Sequence, residues 1–242
     1  MKVDSLKTFL ESFLYLFGYP TCHICSKEII YTDKPLIKGL CIDCYLKVKS
    51  KYENFNRCLI CSSPLQNGVC NKFHHKNIEK IYSIFPLYPE IYQKYLDAKY
   101  RKDSVLKNTF CKLFEFYFNK EIENEFWKPI DLITYVPISL YKKIIRKYNP
   151  SYLFAKIVSR KLSKPLKSLF VESGFKYFHI ERGKKDILFS ERFKIINKSK
   201  IKNKSILIVD DIYTTGKTVS FLSDLLIFEG ASKIFVLTLF NH

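Results

Sequence analysis

Two groups of residues have types and spacings suited to chemistry. The first is Asp210-Asp211, followed after Ile212 and Tyr213 by Thr214-Thr215-Gly216-Lys217-Thr218. Adjacent carboxylates repel each other, so the pair makes sense where it meets polyhydroxyl groups or a divalent cation. Threonine hydroxyls, a glycine able to take φ > 0 and a lysine, at the expected start of a helix, compose a phosphate cradle. The N–H groups at a helix N-terminus point outward and carry partial positive charge, and glycine lets an anion approach the backbone closely. A plain helix cap would need only one such side chain. A Walker A loop also ends in Gly-Lys-Thr, but it requires glycine at the position held by Asp211, and the spacing excludes it.

The second group is the cysteines. Cys22-x2-Cys25 and Cys41-x2-Cys44 form two knuckles, each placing two thiolates on one tight turn, so that together they complete a tetrahedron of the kind that holds Zn2+. Cys58, Cys61 and Cys70, followed by His74 and His75, offer three thiols and an imidazole for a second site. His74 is the expected fourth ligand; spacing leaves open His75, and also an interleaved arrangement in which the first knuckle pairs with the third. Disulfides fit poorly with such short spacings in a chain lacking a secretory signal. Sites this closed imply structural zinc, one ion or two. Cys111, set in a helical pattern with Phe110, Leu113, Phe114 and Phe118, reads as a buried free thiol.

Positioning these groups requires an α/β scaffold. Ile206, Leu207, Ile208 and Val209 form an apolar, mostly β-branched run suited to a central parallel strand buried on both faces, ending at Asp210 and Asp211, with a helix over 218–228 behind it. Upstream, strands are expected over 81–85, 131–137 and 166–171, and helices over 90–100, 103–119, 138–146 and 151–162. Asn149 caps the last of these helices and Pro150 stands at its start. Gly230 closes the helix that follows the cradle, and a last strand covers 232–239. Strands alternating with helices after residue 78 predict a mainly parallel sheet with helices on both faces, the carboxylates lying at the carboxyl end of a central strand. Residues 172–203 carry Arg182, Lys184, Lys185, Glu191 and Arg192 between isolated aromatics; they read as a lid over a phosphate-rich substrate or as a charged surface excursion.

The expected organisation has three parts: an amphipathic helix over 1–19 (Leu6, Phe9, Leu10, Phe13, Leu14, Phe17), a zinc-ribbon module over 20–77 and an α/β domain over 78–242. The chain's 242 residues carry 41 Lys+Arg against 23 Asp+Glu, a formal net charge of +18, which points to polyanion partners. A/T-rich codon usage would supply much of the same lysine. No apolar run approaches the roughly 20 residues of a membrane span. Asp4 and Glu11 interrupt the first apolar stretch and no small-residue cleavage site follows, so no signal peptide is expected and the expected compartment is the cytoplasm.

The apolar strand, the acidic pair and Thr-Thr-Gly-x-Thr resemble the PRPP-binding motif of type I phosphoribosyltransferases. By that resemblance Asp210 and Asp211 contact the ribose hydroxyls, and Thr214, Thr215, Gly216, Lys217 and Thr218 wrap the 5′-phosphate. The loop after the first core strand would bind the pyrophosphate that travels with Mg2+, and Lys142, Lys143 and Arg146 fall there. A solvated basic face accounts equally well for Lys142 and Lys143 singly. Taken in order, the zinc-ribbon head, the Val136-Pro137 strand end, the basic helix start and the terminal acidic motif resemble the ComF family across almost the whole chain. The chain has Arg146-Lys147-Tyr148-Asn149-Pro150 where that family has Arg-Gly-Phe-Asn-Gln. On the acceptor side, His179, Arg182 and Asp186 stand roughly where Gln, Arg and Asn fall. The resemblance implies a PRPP-binding protein that supports DNA uptake in natural transformation, handling single-stranded DNA with the uptake machinery. Alternatively it implies an active transferase moving ribose 5-phosphate from PRPP to a nitrogen nucleophile.

Overall fold

The computed structural model describes residues 20–29, 37–101, 103–172 and 192–241. The helix expected over 1–19, and His179, Arg182, Lys184, Lys185, Asp186 and Glu191, lie outside the described residues.

In chain order the elements are α1 (Ile42–Glu53), β1 (Lys80–Pro86), α2 (Pro89–Tyr100), α3 (Ser104–Lys120), β2 (Leu132–Tyr135), α4 (Leu140–Arg146) and α5 (Pro150–Leu162). They continue with β3 (Phe170–Glu172), β4 (Phe193–Ile195), β5 (Ser205–Tyr213), α6 (Lys217–Phe228) and β6 (Lys233–Asn241). The main sheet runs β1-β6-β5-β2 with every pair parallel, and β3 and β4 form a separate antiparallel ribbon. This is the expected α/β architecture of the type I phosphoribosyltransferase kind.

The apolar run of β5 is buried on both faces: Ile206, Leu207, Ile208 and Val209 are each 0% exposed. Side chains alternate along a strand. Leu207 and Val209 therefore join one layer with Tyr95, Phe114 and Phe154 of α2, α3 and α5, while Ile206 and Ile208 join the other with Leu222 and Leu226 of α6. In the first layer Phe114 stacks on Phe154 with ring centroids 4.5 Å apart. Segments before residue 77 enter both layers. Cys41, Cys44, Tyr45 and Val48 belong to the first, Cys58 and Cys61 to the second.

Local signals place the helix starts. The Asp103 carboxylate accepts from the N–H groups of Val105 and Leu106 at 2.9 Å, Ser139 caps α4, and Asn149 caps α5 with Pro150 in its first turn. The expectation that Asp210 and Asp211 end their strand is corrected. β5 continues through both to Tyr213, because β6 offers partners up to Asn241, pairing Asp210 with Thr238 and Tyr213 with Asn241. The strand expected over 166–171 shrinks to β3, with Leu166 making an isolated bridge to Ile133.

Candidate functional site

Because β2 and β5 are parallel neighbours, the segments that follow them emerge at the same edge of the sheet. From β2 come Asn149 and Ser151; from β5 comes 214–218. Asp210 lies where they meet, lining a shallow open depression with Thr214, Thr215, Lys217 and Thr218. Its Oδ1 accepts from the Ser151 hydroxyl at 3.0 Å and from the Asp211 N–H at 2.8 Å, while Asn149 Nδ2 donates to the Val136 carbonyl at 2.9 Å.

Gly216 is the N-cap of α6, at φ 72°, and no side chain caps it. The other helix starts flanking this region, α4 and α5, are closed by Ser139 and Asn149, so the donors left open are those of α6. The left-handed backbone there suits glycine, and a Cβ at this position would lie 2.4 Å from the Tyr213 hydroxyl oxygen. Exposed Thr214, Thr215 and Lys217 surround open N–H groups and a helix dipole, an arrangement chemically suited to an anion.

The two carboxylates face different surroundings. Asp211 points into the helical layer, where its Oδ2 accepts from Tyr95 Oη at 2.7 Å and is ion-paired with Lys99 Nζ, both from α2. Burial alone would raise Asp211, but the Lys99 ammonium outweighs it and holds the carboxyl below its ordinary range. For Asp210 burial wins, the neighbouring Asp211 charge adds to it, and the carboxyl is pushed up to about 8. The geometry thus separates their surroundings: Asp210 lines the depression, and Asp211 is tied to α2.

Of the basic residues expected on the pyrophosphate side, Lys142 donates to Glu172 Oε1 at 3.2 Å, an oxygen that also accepts from Arg192 Nε at 2.8 Å. Burial draws the Lys142 ammonium down against the opposing pull of Glu172. Lys143 is exposed, and the Arg146 guanidinium lies over the Tyr100 ring at 4.5 Å. Sequence reasoning missed Lys99, Tyr95 and Ser151. Only the burial of Asp211 opposite α2 reveals the first two; the placement of Ser151 just after a cap and a proline, beside the strand ends, was a legible signal for the third.

The cysteines gather as two four-ligand clusters, Cys22/Cys25/Cys41/Cys44 and Cys58/Cys61/Cys70/His74, the ligand atoms of each lying within 4.8 Å of one another. Zinc–sulfur bonds of about 2.3 Å require tetrahedral edges of about 3.8 Å. Cys25 Sγ lies 3.7 Å from Cys41 Sγ, Cys61 Sγ lies 3.6 Å from Cys70 Sγ, and His74 Nε2 lies 3.4 Å from Cys70 Sγ. The donor sets therefore fit structural zinc, with the knuckles paired in sequence order and His74 in place. His75 turns instead toward Asp224, its Nε2 3.5 Å from Oδ2. Burial first, then neighbouring thiols, push Cys61 up to about 11, a penalty a divalent cation removes. Cys111 is a free, partly buried thiol that burial pushes up to about 11. No helix among the described residues is long and apolar enough to cross a membrane.

Residues 149–242 match the phosphoribosyl transferase domain family. Competence protein ComFC of Bacillus subtilis (strain 168) is 27% identical over 132 residues, covering 54% of this chain and 51% of the relative, so the chain spans about half the length of the curated relative it matches. Among solved structures, a glutamine PRPP amidotransferase from B. subtilis aligns with a TM-score of 0.35 and 15% identity, over 49% of this chain and 25% of that one. An adenine phosphoribosyltransferase from Leishmania tarentolae aligns with a TM-score of 0.35 and 12% identity, over 60% and 75%. The domain match covers the part of the fold that contains β5, residues 214–218, α6 and β6, and the chain is similar to ComFC over about half its length.

Proposed function

We propose that the chain binds PRPP at the 214–218 cradle and serves DNA uptake in natural transformation, handling single-stranded DNA in the cytoplasm. One observation carries the ligand reading: the uncapped N-terminus of α6, with Gly216 at φ 72°, opens into the depression lined by Asp210. In this reading the N–H groups and hydroxyls of 214–218 hold the 5′-phosphate, and Asp210 accepts from a ribose hydroxyl. Asp211 acts indirectly, by fixing α2 through Lys99 and Tyr95. Asp211 is already held by Lys99 and Tyr95, while the partners of Asp210, Ser151 and the Asp211 N–H, engage its Oδ1. Mg2+ would enter on the pyrophosphate, as it commonly does on nucleotide phosphates. Lys143 and Arg146 are the cations on the β2 side for that group; Lys142 would first have to leave Glu172. Zinc at the two clusters would be structural.

Support for the DNA reading is the net charge of +18 together with exposed rings beside α4: Tyr100 and Tyr141 at 51% and Tyr152 at 39%, with Arg146 against Tyr100. Basic residues interleaved with solvent-exposed aromatic side chains bind single strands by stacking and charge.

Titration calorimetry with PRPP and Mg2+ tests the proposal. Wild type is expected to bind, with Asp210→Asn and Gly216→Ala weaker on the order of tenfold or more. No heat for wild type, or wild-type affinity in both variants, would overturn it.

A further inference from the structure

The second metal cluster lies against the element that shapes the cradle. Cys58 and Cys61 share a buried layer with Tyr213, Val219 and Leu222, and Cys70 packs on it. Tyr213 ends β5 at 6% exposure, its hydroxyl wedged where a Cβ of Gly216 would stand. Asn241, its partner across the ladder, donates from Nδ2 to the Cys61 carbonyl at 2.8 Å. On α6, Asp224 Oδ1 accepts from Asn77 Nδ2 at 2.7 Å and its Oδ2 lies 3.5 Å from His75, the neighbour of the fourth ligand His74. The first cluster has none of these contacts; Cys22, Cys41 and Cys44 pack in the opposite layer with α2 and α3.

We propose that the second cluster positions the cradle: a metal held by Cys58, Cys61, Cys70 and His74 fixes Tyr213 and α6, and through them the N–H groups of 214–218. The first cluster does not. The physical reason is that α6 begins without a side-chain cap and on a glycine, whose backbone can take many conformations, so that its setting is fixed by what packs around it. Tyr213 from below and the Asp224 contacts from the side supply that constraint, and both depend on how the 58–77 segment is closed. Without a cation to tie Cys58, Cys61, Cys70 and His74 together the 58–77 segment loses its closure, which loosens His75 and Asn77 from Asp224 and frees the ring under Gly216. Tyr213 and Asp224 are positioning residues: Tyr213 acts through Gly216 and Asp224 through α6.

The test is hydrogen exchange by mass spectrometry on the full chain, with zinc content measured in parallel, for wild type, Cys25→Ser, Cys70→Ser and Asp224→Ala. Cys70→Ser is expected to lose one zinc and to exchange faster across 213–220. Cys25→Ser is expected to lose the other zinc and leave 213–220 at the wild-type rate. Asp224→Ala, which keeps both metals, is expected to raise exchange at 213–220 as well, so the proposal stays open to refutation if Cys70→Ser does not fold. Faster exchange confined to 57–75 in Cys70→Ser, equal loosening of 213–220 in Cys25→Ser, or an unchanged 213–220 in Asp224→Ala would each overturn the coupling. A PRPP titration adds a second readout that rests on the proposed function: affinity is expected to fall on the order of tenfold in Asp224→Ala and not in Cys25→Ser. Absence of PRPP binding in wild type would refute the ligand reading alone, because the exchange rates judge the coupling without any ligand.

Discussion

Replacing Lys99 by Met isolates the buried ion pair that holds Asp211. The side chains of Lys99 and Asp211 are only 11% and 10% exposed, so water does little to screen or replace the pair. Removing one partner of such a pair leaves an uncompensated charge and costs about 3–5 kcal/mol. At about 2–4 °C per kcal/mol for a chain of this size, thermal unfolding should fall by about 6–20 °C at pH 8. The sign with pH follows from Asp211. Its carboxyl is held below the ordinary range in wild type, so its contribution is present above that range and lost as pH falls. The gap between wild type and Lys99→Met should therefore narrow towards pH 4. Adding Asp211→Asn to Lys99→Met removes the orphaned charge while keeping an acceptor for Tyr95, and should recover more than half the loss. Circular dichroism melts of wild type, Lys99→Met, Asp211→Asn and the double variant at pH 8 and pH 4 complete the cycle. A Lys99→Met cost below about 1 kcal/mol, the value of an exposed pair, would refute the reasoning, as would a double variant no more stable than the single one.

Other outcomes follow from the same structure. Asp210, pushed up to about 8 in the fold, favours the folded state in its protonated form, so wild type should lose stability as pH rises from about 4 to 8 and level off above. Asp210→Asn should lack that slope, its melting advantage growing to pH 8 and then holding constant. Gly216→Ala meets both a left-handed backbone and the Tyr213 hydroxyl, and should destabilise by about 1 kcal/mol or more in denaturant unfolding, with the weaker PRPP binding given above. Purified chain should carry two zinc ions by elemental analysis, and strong chelators should remove them with loss of thermal stability. Phe114→Ala, emptying a fully buried site stacked on Phe154, should cost about 3–5 kcal/mol.

Much of the scaffold was legible because its signals were local. The apolar run of β5, the Asn149-Pro150 start of α5 and the knuckle spacings each needed only a few neighbouring residues, and the parallel sheet followed from their alternation. What was not legible depended on partners distant in the chain. β5 extends past its acidic pair because β6, which follows α6, supplies the ladder. Asp210 and Asp211 read as equivalent in sequence, yet strand alternation sends one to the depression and the other to Lys99 in α2. Lys142 read as a candidate pyrophosphate ligand; its pairing with Glu172 arises from the β3–β4 ribbon, whose second strand no local pattern announced. α1 was also missed, its start at Cys41 being hidden by a knuckle with no ordinary capping side chain.

If 214–218 is a phosphate cradle with Asp210 at its edge, a crystal structure of the chain grown with PRPP and Mg2+ will show density for the 5′-phosphate against the N–H groups of 214–218, a ribose hydroxyl within hydrogen-bond reach of Asp210, and Asp211 still paired with Lys99. Density for PRPP elsewhere, or a ribose held by Asp211 with Lys99 displaced, would contradict it.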